Sequence, residues 1–420
     1  SYLNLRFKDY EEKYNITPDP TAMLADRFHA IIVTAYKQTG LRVAVLIDEY
    51  DSPLQHSWRT HEHEKCTGVY REVFAILKAD DEYEHFVFIT GITKFTQISL
   101  FSVLNNLSNI SFTPEYAAIC GITEEEIEEN FMPEIRQMSE ANNWSVQETH
   151  DRLKAYYDGY HLSRRNMVDV YNPYSLVNAL KSKEIINFWA SSGATSLLPK
   201  FVDNAELRMK SFENCRIMRN TLELSDVSGG GAELFLYQSG YLTIKDSDEF
   251  GYILGFPNEE VKQALYETVL PTLTMRSRSD IQSIQANLYA QLGTGQIDEA
   301  MKSLKALIAD VPYSNKKLAS MDMEERYRLI ISTILNAIGL NVEVEKMIST
   351  GRIDMTVKTS RYIYVIELKL RNNGGKEAAT EQILNRQYMK PFKADKRQVV
   401  GLGIELDEEG KGLLDWKRAE

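Results

Sequence analysis

Cysteine is scarce. The 420 residues hold three, Cys66, Cys120 and Cys215, far apart and odd in number. That excludes a disulfide framework and makes a reducing cytosol the simplest compartment. No apolar run approaches the roughly 18 residues needed to cross a membrane, so no membrane partner is expected. The opening stretch SYLNLRFKDYEEKYN is polar and has no secretory-signal pattern. Basic residues are outnumbered, 48 Lys/Arg against 60 Asp/Glu, a formal charge of −12, which argues against a general nucleic-acid coat. The deficit is uneven: residues 321–420 hold 17 Lys/Arg and 16 Asp/Glu, so the rest carries −13. A site that handles a polyanion fits better at the C-terminal end. The phosphate-cradling pattern GxxxxGK[ST] is missing, since GGGAE (229–233), GTGQ (293–296) and GGK (374–376) do not match it. Repeats and low-complexity segments are absent too.

What remains is ordinary globular composition, 43% hydrophobic and 26% charged, and length for two or three domains. LADRFHAIIVTAYKQTG, 24–40, predicts a helix stopped by Gly40. LRVAVLIDEYD, 41–51, and HFVFITG, 85–91, are continuous apolar runs separated by a helical stretch at 65–80. Strand, helix, strand of this kind implies an α/β sheet. From about 113 the pattern turns helical, with a capping box at Thr123 and Glu126 and helices at 146–157, 173–182 and 195–212. SDVSGGGAE, 225–233, is a connection, 241–257 a β-hairpin, 258–310 several helices and VPYSNKKLAS, 311–320, a linker. The last hundred residues give a helix at 322–338, strands at 341–348, 352–358 and 362–370, a helix at 375–390 and a strand at 398–406. The order is αβββαβ.

Within that domain GRIDMTVKTSRYIYVIELKL, 351–370, sets charges among apolar neighbours. Alternation puts Glu367 and Lys369 on one face. A two-residue turn at Ser360 and Arg361 pairs residues whose numbers sum to 721, which sets Asp354 opposite Glu367. Adjacent carboxylates repel and are costly to desolvate; a divalent cation resolves both problems, and Mg²⁺ favours one or two carboxylates plus waters and phosphate oxygens. An isolated D…ExK is more often a cross-strand ion pair, but the αβββαβ setting reverses those odds. LIDEYD ends an apolar strand in two acids, Asp48 and Glu49, with Thr90 on the neighbouring strand and Lys94 beyond it. Without the phosphate loop, ATP binding by this chain alone is not expected.

These residues carry two resemblances. GRID…IELK in its αβββαβ frame resembles the PD-(D/E)XK nuclease superfamily, a restriction-endonuclease-like fold. The resemblance implies Asp354 and Glu367 as ligands of Mg²⁺ or Mn²⁺ and Lys369 as the catalytic lysine. It adds Gln382 beside the site and an acid on the first helix, Glu324 or Glu325. LIDEYDSPL, TGITKF, LFSVLNNLSNI, YDGYH (157–161), YNPYS (171–175), LYQSGYLTIK (236–245) and LGFPNEEV (254–261) together resemble bacterial AAA-ATPase-like proteins that end in such a nuclease domain. This implies Asp48 as a Walker B metal ligand, Glu49 polarising the attacking water, Thr90 as a sensor and a phosphate loop lying upstream of Ser1.

The expected architecture is α/β and multidomain. It comprises a partial AAA/P-loop NTPase-like domain over 1–112, a mainly helical lid or connector over 113–320 and the nuclease-like domain over 321–420. The expected function is metal-dependent phosphodiester hydrolysis, with DNA as the partner and oligomerisation through the AAA-like module. A competing reading is an NTP-gated switch or scaffold whose nuclease-like domain only binds nucleic acid or a protein. Arg386, Lys390, Lys393, Lys396 and Arg397 form either a solvated helix end or a phosphate-contacting patch. HEHEKC, 61–66, lacks a second Cys/His pair for zinc and reads as an exposed loop. The YDGYH and YNPYS aromatics read as packing, and the 241–257 hairpin as a structural connection rather than a DNA-contacting wing.

Overall fold

The structure, a computed structural model, describes residues 2–17, 19–58, 60–92, 107–163, 165–191, 198, 212, 214–224, 231–274, 278–309 and 322–419. Almost all of the helix expected over 195–212, most of the connection at 225–233, the linker at 311–320 and Lys94 lie outside the described residues.

The N-terminal part runs α1 (Tyr2–Lys13), α2 (Leu24–Thr39), β1 (Val43–Ile47), α3 (Ser52–Ser57), α4 (His63–Ala79) and β2 (Glu84–Ile89). β1 and β2 pair in parallel, Leu46 beside Phe88 and Ile47 beside Ile89, as continuous apolar runs separated by a helix should. Gly40 ends α2 in the left-handed region, φ +67°, where a residue without Cβ fits best. The middle holds α5 (Glu124–Asn130), α6 (Met132–Asn142), α7 (Val146–Tyr157) and α8 (Pro173–Ser182). The Thr123 hydroxyl and Glu126 carboxylate cap each other's amides at the start of α5. A three-stranded antiparallel sheet follows, in the order β3 (Cys215–Met218), β5 (Gly251–Gly255), β4 (Thr243–Ser247). α9 (Arg219–Leu224) and α10 (Gly231–Gln238) lie between β3 and β4, and α11 (Glu259–Thr274), α12 (Arg278–Thr294) and α13 (Ile297–Ala309) come after the sheet.

The C-terminal part is α14 (Met323–Ala337), β6 (Asn341–Ile348), β7 (Gly351–Lys358), β8 (Tyr362–Leu370), α15 (Gly375–Asn385), β9 (Gln398–Leu406) and β10 (Leu413–Ala419). The sheet order is β10-β9-β8-β7-β6. Only β8 and β9 are parallel, and α15 is the crossover this requires. Two features differ from the sequence expectation. LLDWKRA forms a fifth strand, β10, whose polar residues suit a sheet edge. The helix after β8 stops at Asn385 instead of 390, because Gln387 adopts φ +52° and Pro391 follows. α15 comes down closely on β9, where a Cβ at Gly403 would meet the Lys376 carbonyl oxygen at 2.7 Å.

Apolar packing crosses the segment limits read from the sequence. One core joins Val45, Leu54 and Phe74 to Tyr241, Leu254 and Val261. A second joins Leu292 and Leu304 to Ile330, Ile331 and Ile334 of α14 and to Tyr364 and Ile366 of β8. The three α14 isoleucines are buried, each contributing roughly 1.5–3 kcal/mol, so α14 is firmly held against the sheet. Among the described residues no helix is long and apolar enough to cross a membrane.

Candidate functional site

β8 is central, and almost every residue on it is buried. The pairing rule read from the turn holds: Met355, Thr356, Val357 and Lys358 face Ile366, Val365, Tyr364 and Ile363, and the turn closes with Thr359 N–H donating to the Tyr362 carbonyl. The ladder stops one step before Asp354 and Glu367. In its place side chains take over. Leu368 N–H donates to Asp354 Oδ2 at 2.9 Å, and Asp354 N–H reaches Glu367 Oε2 at 3.5 Å. Face alternation also slips here, since Met355 packs with α14 while Ile353 packs on the α15 side. Opening the ladder is what turns the Asp354 carboxylate into a cleft between the layers.

That cleft holds about 440 Å³ and is lined by Asp354, Glu367, Lys369 and Gln382 together with Asp322, Glu324, Glu325, Arg328, Glu345 and Arg352. The structure therefore brings all four C-terminal candidates together, and Glu324 and Glu325 with them. Gln382 donates its amide N–H to Glu367 Oε1. Lys369 Nζ lies 3.7 Å from both Glu367 Oε1 and Glu324 Oε2. Glu324 does more than line the wall, because its Oε1 accepts from Leu370 N–H and from the Asn373 amide, both at 3.1 Å. It thereby fixes the end of β8 beside Lys369. The N-cap Asp322 accepts from the Glu324 and Glu325 amides and starts α14 at the cleft.

Glu367 is 1% exposed. Burial first, and the Asp354 carboxylate second, push its carboxyl up to about 8. A buried acid pair of this kind is unfavourable unless something compensates it. The donor set fits a small hard cation: two carboxylates on adjoining strands, with open volume beside them for water and phosphate oxygens. Among the described residues no group of three or more His, Cys, Asp or Glu could hold a metal. The ten lining residues count six carboxylates against three cations, and a polyanion would be repelled from them without added positive charge.

Three residues here carried no sequence signal. Glu345 on β6, which shares the sum-699 register of β6 and β7 with Asp354, interrupts that ladder with φ +51°. A non-glycine residue held there costs of order 1–3 kcal/mol. Its Oε1 lies 2.9 Å from Arg328 Nη2 and 3.0 Å from Arg352 Nη1. Arg328 Nη1 in turn lies 3.3 Å from Asp354 Oδ1. Such contacts need the fold to bring α14, β6 and β7 together.

The N-terminal candidates also meet. Asp48, Glu49 and Thr90 sit at the C-terminal ends of β1 and β2, where open α/β sheets bind ligands. Thr90 Oγ1 and Glu49 N–H both donate to Asp48 Oδ1, and Glu49 has φ +51°. Asp51, not singled out in the sequence, is 1% exposed and accepts from Ile92 N–H at 3.2 Å. It ties the end of β2 to the start of α3. Elsewhere, the first turn of α4 takes in His63–Cys66 of HEHEKC, correcting the loop reading of those four residues. Arg397 is paired with Asp395 at 2.7 Å, which favours its structural role. Arg386, Lys390, Lys393 and Lys396 are exposed. The 241–257 segment is the β4–β5 hairpin, buried on the first core.

Comparison with known proteins agrees with both resemblances. Residues 1–101 match the family model described as predicted AAA-ATPase, and residues 322–416 match that of the PD-(D/E)XK nuclease superfamily. A protein of Azotobacter chroococcum mcd 1, described as an uncharacterized protein in the vnfD 5' region, is 28% identical over 402 residues, covering 92% of this chain and 74% of the relative. No solved structure matches. The chain thus joins an AAA-ATPase-like domain at its N-terminal end to a PD-(D/E)XK nuclease superfamily domain at its C-terminal end.

Proposed function

We propose that the C-terminal cleft hydrolyses phosphodiester bonds of DNA with a divalent cation, Mg²⁺ or Mn²⁺, held by Asp354 and Glu367. The observation carrying this reading is the buried carboxylate pair with Lys369 on the same face. The bound ion would supply Lewis acidity, an ionised water and neutralisation of phosphate charge. The chain's residues do the rest. Gln382 orients Glu367 through its amide, leaving the other oxygen of that carboxylate toward Asp354. Lys369, steadied by Glu324, presents an ammonium to charge developing on the phosphoryl oxygens. Arg328 neutralises Asp354 from the α14 side.

The N-terminal domain, taken as 1–112, is proposed to gate that activity when an upstream phosphate loop is present. Asp48 would then hold Mg²⁺, Glu49 would polarise water and Thr90 would sense the γ-phosphate, with oligomerisation through the same module. Residues 113–320 would be the lid or connector and 321–420 the nuclease unit, working in the cytosol. The test is cleavage of plasmid and oligonucleotide DNA in Mg²⁺ or Mn²⁺ by wild type, Asp354→Ala and Lys369→Ala. The reading expects cleavage by wild type alone, and equal activity in all three sinks it. Metal-independent binding with no cleavage of any substrate would favour the switch or scaffold instead.

A further inference from the structure

We propose that Arg328 and Arg352, gathered on one oxygen of Glu345, form a clamp for the nucleic-acid backbone phosphate next to the scissile one. The inference rests on the nuclease reading and names how that site seats its substrate. Two guanidiniums share a single carboxylate oxygen, at 2.9 and 3.0 Å, so Glu345 alone does not neutralise both. Arg352 is half exposed and makes that one ion pair among the described residues, which leaves most of its N–H fork free for a phosphate. Arg328, the inner member, also touches Asp354, so a phosphate on the pair lies directly beside the proposed metal carboxylates. Glu345 holds the two in place from a left-handed backbone, a conformation that a surface ion pair does not repay. The positive surface continues outward, because the Thr350 hydroxyl bonds the Arg386 carbonyl at 2.5 Å and brings exposed Arg386 up to the β6–β7 turn.

The test is binding of a 20-base-pair DNA duplex, and separately of one of its strands, to the full chain in Ca²⁺, by fluorescence anisotropy across a KCl series. Arg352→Ala is expected to weaken binding about tenfold and to lower the slope of log K against log salt by about one. Arg352→Lys is expected to keep the slope while losing part of the affinity. Wild-type affinity and slope in Arg352→Ala would overturn the clamp, as would failure of wild type to bind either probe. Wild-type protein that binds with the expected slopes yet cleaves nothing in Mg²⁺ or Mn²⁺ removes the nuclease reading and leaves the clamp. Cleavage by wild type with an unchanged slope in Arg352→Ala does the reverse.

Discussion

The two acidic sites of this chain look alike in residue type and differ in surroundings. Asp48 and Glu49 end a strand in a two-stranded sheet and are exposed. Thr90 on the next strand donates to Asp48. Asp354 and Glu367 lie at the opened centre of a five-stranded sheet with helices on both faces, and Glu367 is 1% exposed. An exposed carboxylate is satisfied by water at no cost. A buried pair is not, and it persists only where the surroundings over-determine it. Gln382, Lys369, Arg328 and the Leu368 amide do so here. Burial, rather than the acids themselves, separates the two sites.

The sharpest way to break this comparison is to exchange the lesions. Lys369→Ala or Asp354→Ala should lower metal-dependent cleavage at least 10²-fold, because removing a preorganised charge at a reacting phosphate costs about 2.7–4 kcal/mol. Asp48→Ala should leave cleavage by this chain unchanged, as initial rates on one substrate would reveal. Parity between the two lesions contradicts the contrast.

The buried pair should also show itself without catalysis. Burial and Asp354 hold the Glu367 carboxyl at about 8, against an ordinary 4.5. Its contribution to stability in metal-free protein is therefore complete below about pH 4.5 and is lost as pH rises through 8. Denaturant melts across that range should flatten in Glu367→Gln. An identical pH dependence in wild type and variant would mean that Glu367 is ionised without penalty.

Smaller effects refine the picture. Gln382→Ala removes one hydrogen bond to a carboxylate and should lower kcat several-fold, about 1 kcal/mol, with KM little changed. Thr90→Val removes an exposed contact at the N-terminal site and should shift stability by no more than about 1 kcal/mol, measured by urea melts. A Thr90 effect larger than that of Gln382 would reverse the ranking of the two sites.

Much of the C-terminal geometry was legible because strands obey simple rules. The turn at Ser360–Arg361 fixed a sum-721 register, and two-residue alternation put Glu367 beside Lys369. Gln382 was reached only through the family resemblance. What escaped depended on broken rules or on several elements at once. Glu345 sits in a left-handed conformation within a strand, and no local pattern announces that. Arg328 lies on α14 at ordinary helical spacing, and its meeting with Asp354 exists only after α14 packs on the sheet. β10 was missed because an edge strand tolerates Asp415, Lys417 and Arg418, so its alternation is faint. In the middle region the helices and the hairpin followed from periodicity. Their shared core with the N-terminal strands did not, because contact between distant segments leaves no period.

The central claim is that Asp354 and Glu367 share a divalent cation. Its most direct test is a Mn²⁺-soaked crystal examined by anomalous scattering. The account predicts a peak liganded by both carboxylates beside Lys369. A peak at Asp48 with none between Asp354 and Glu367 would contradict it.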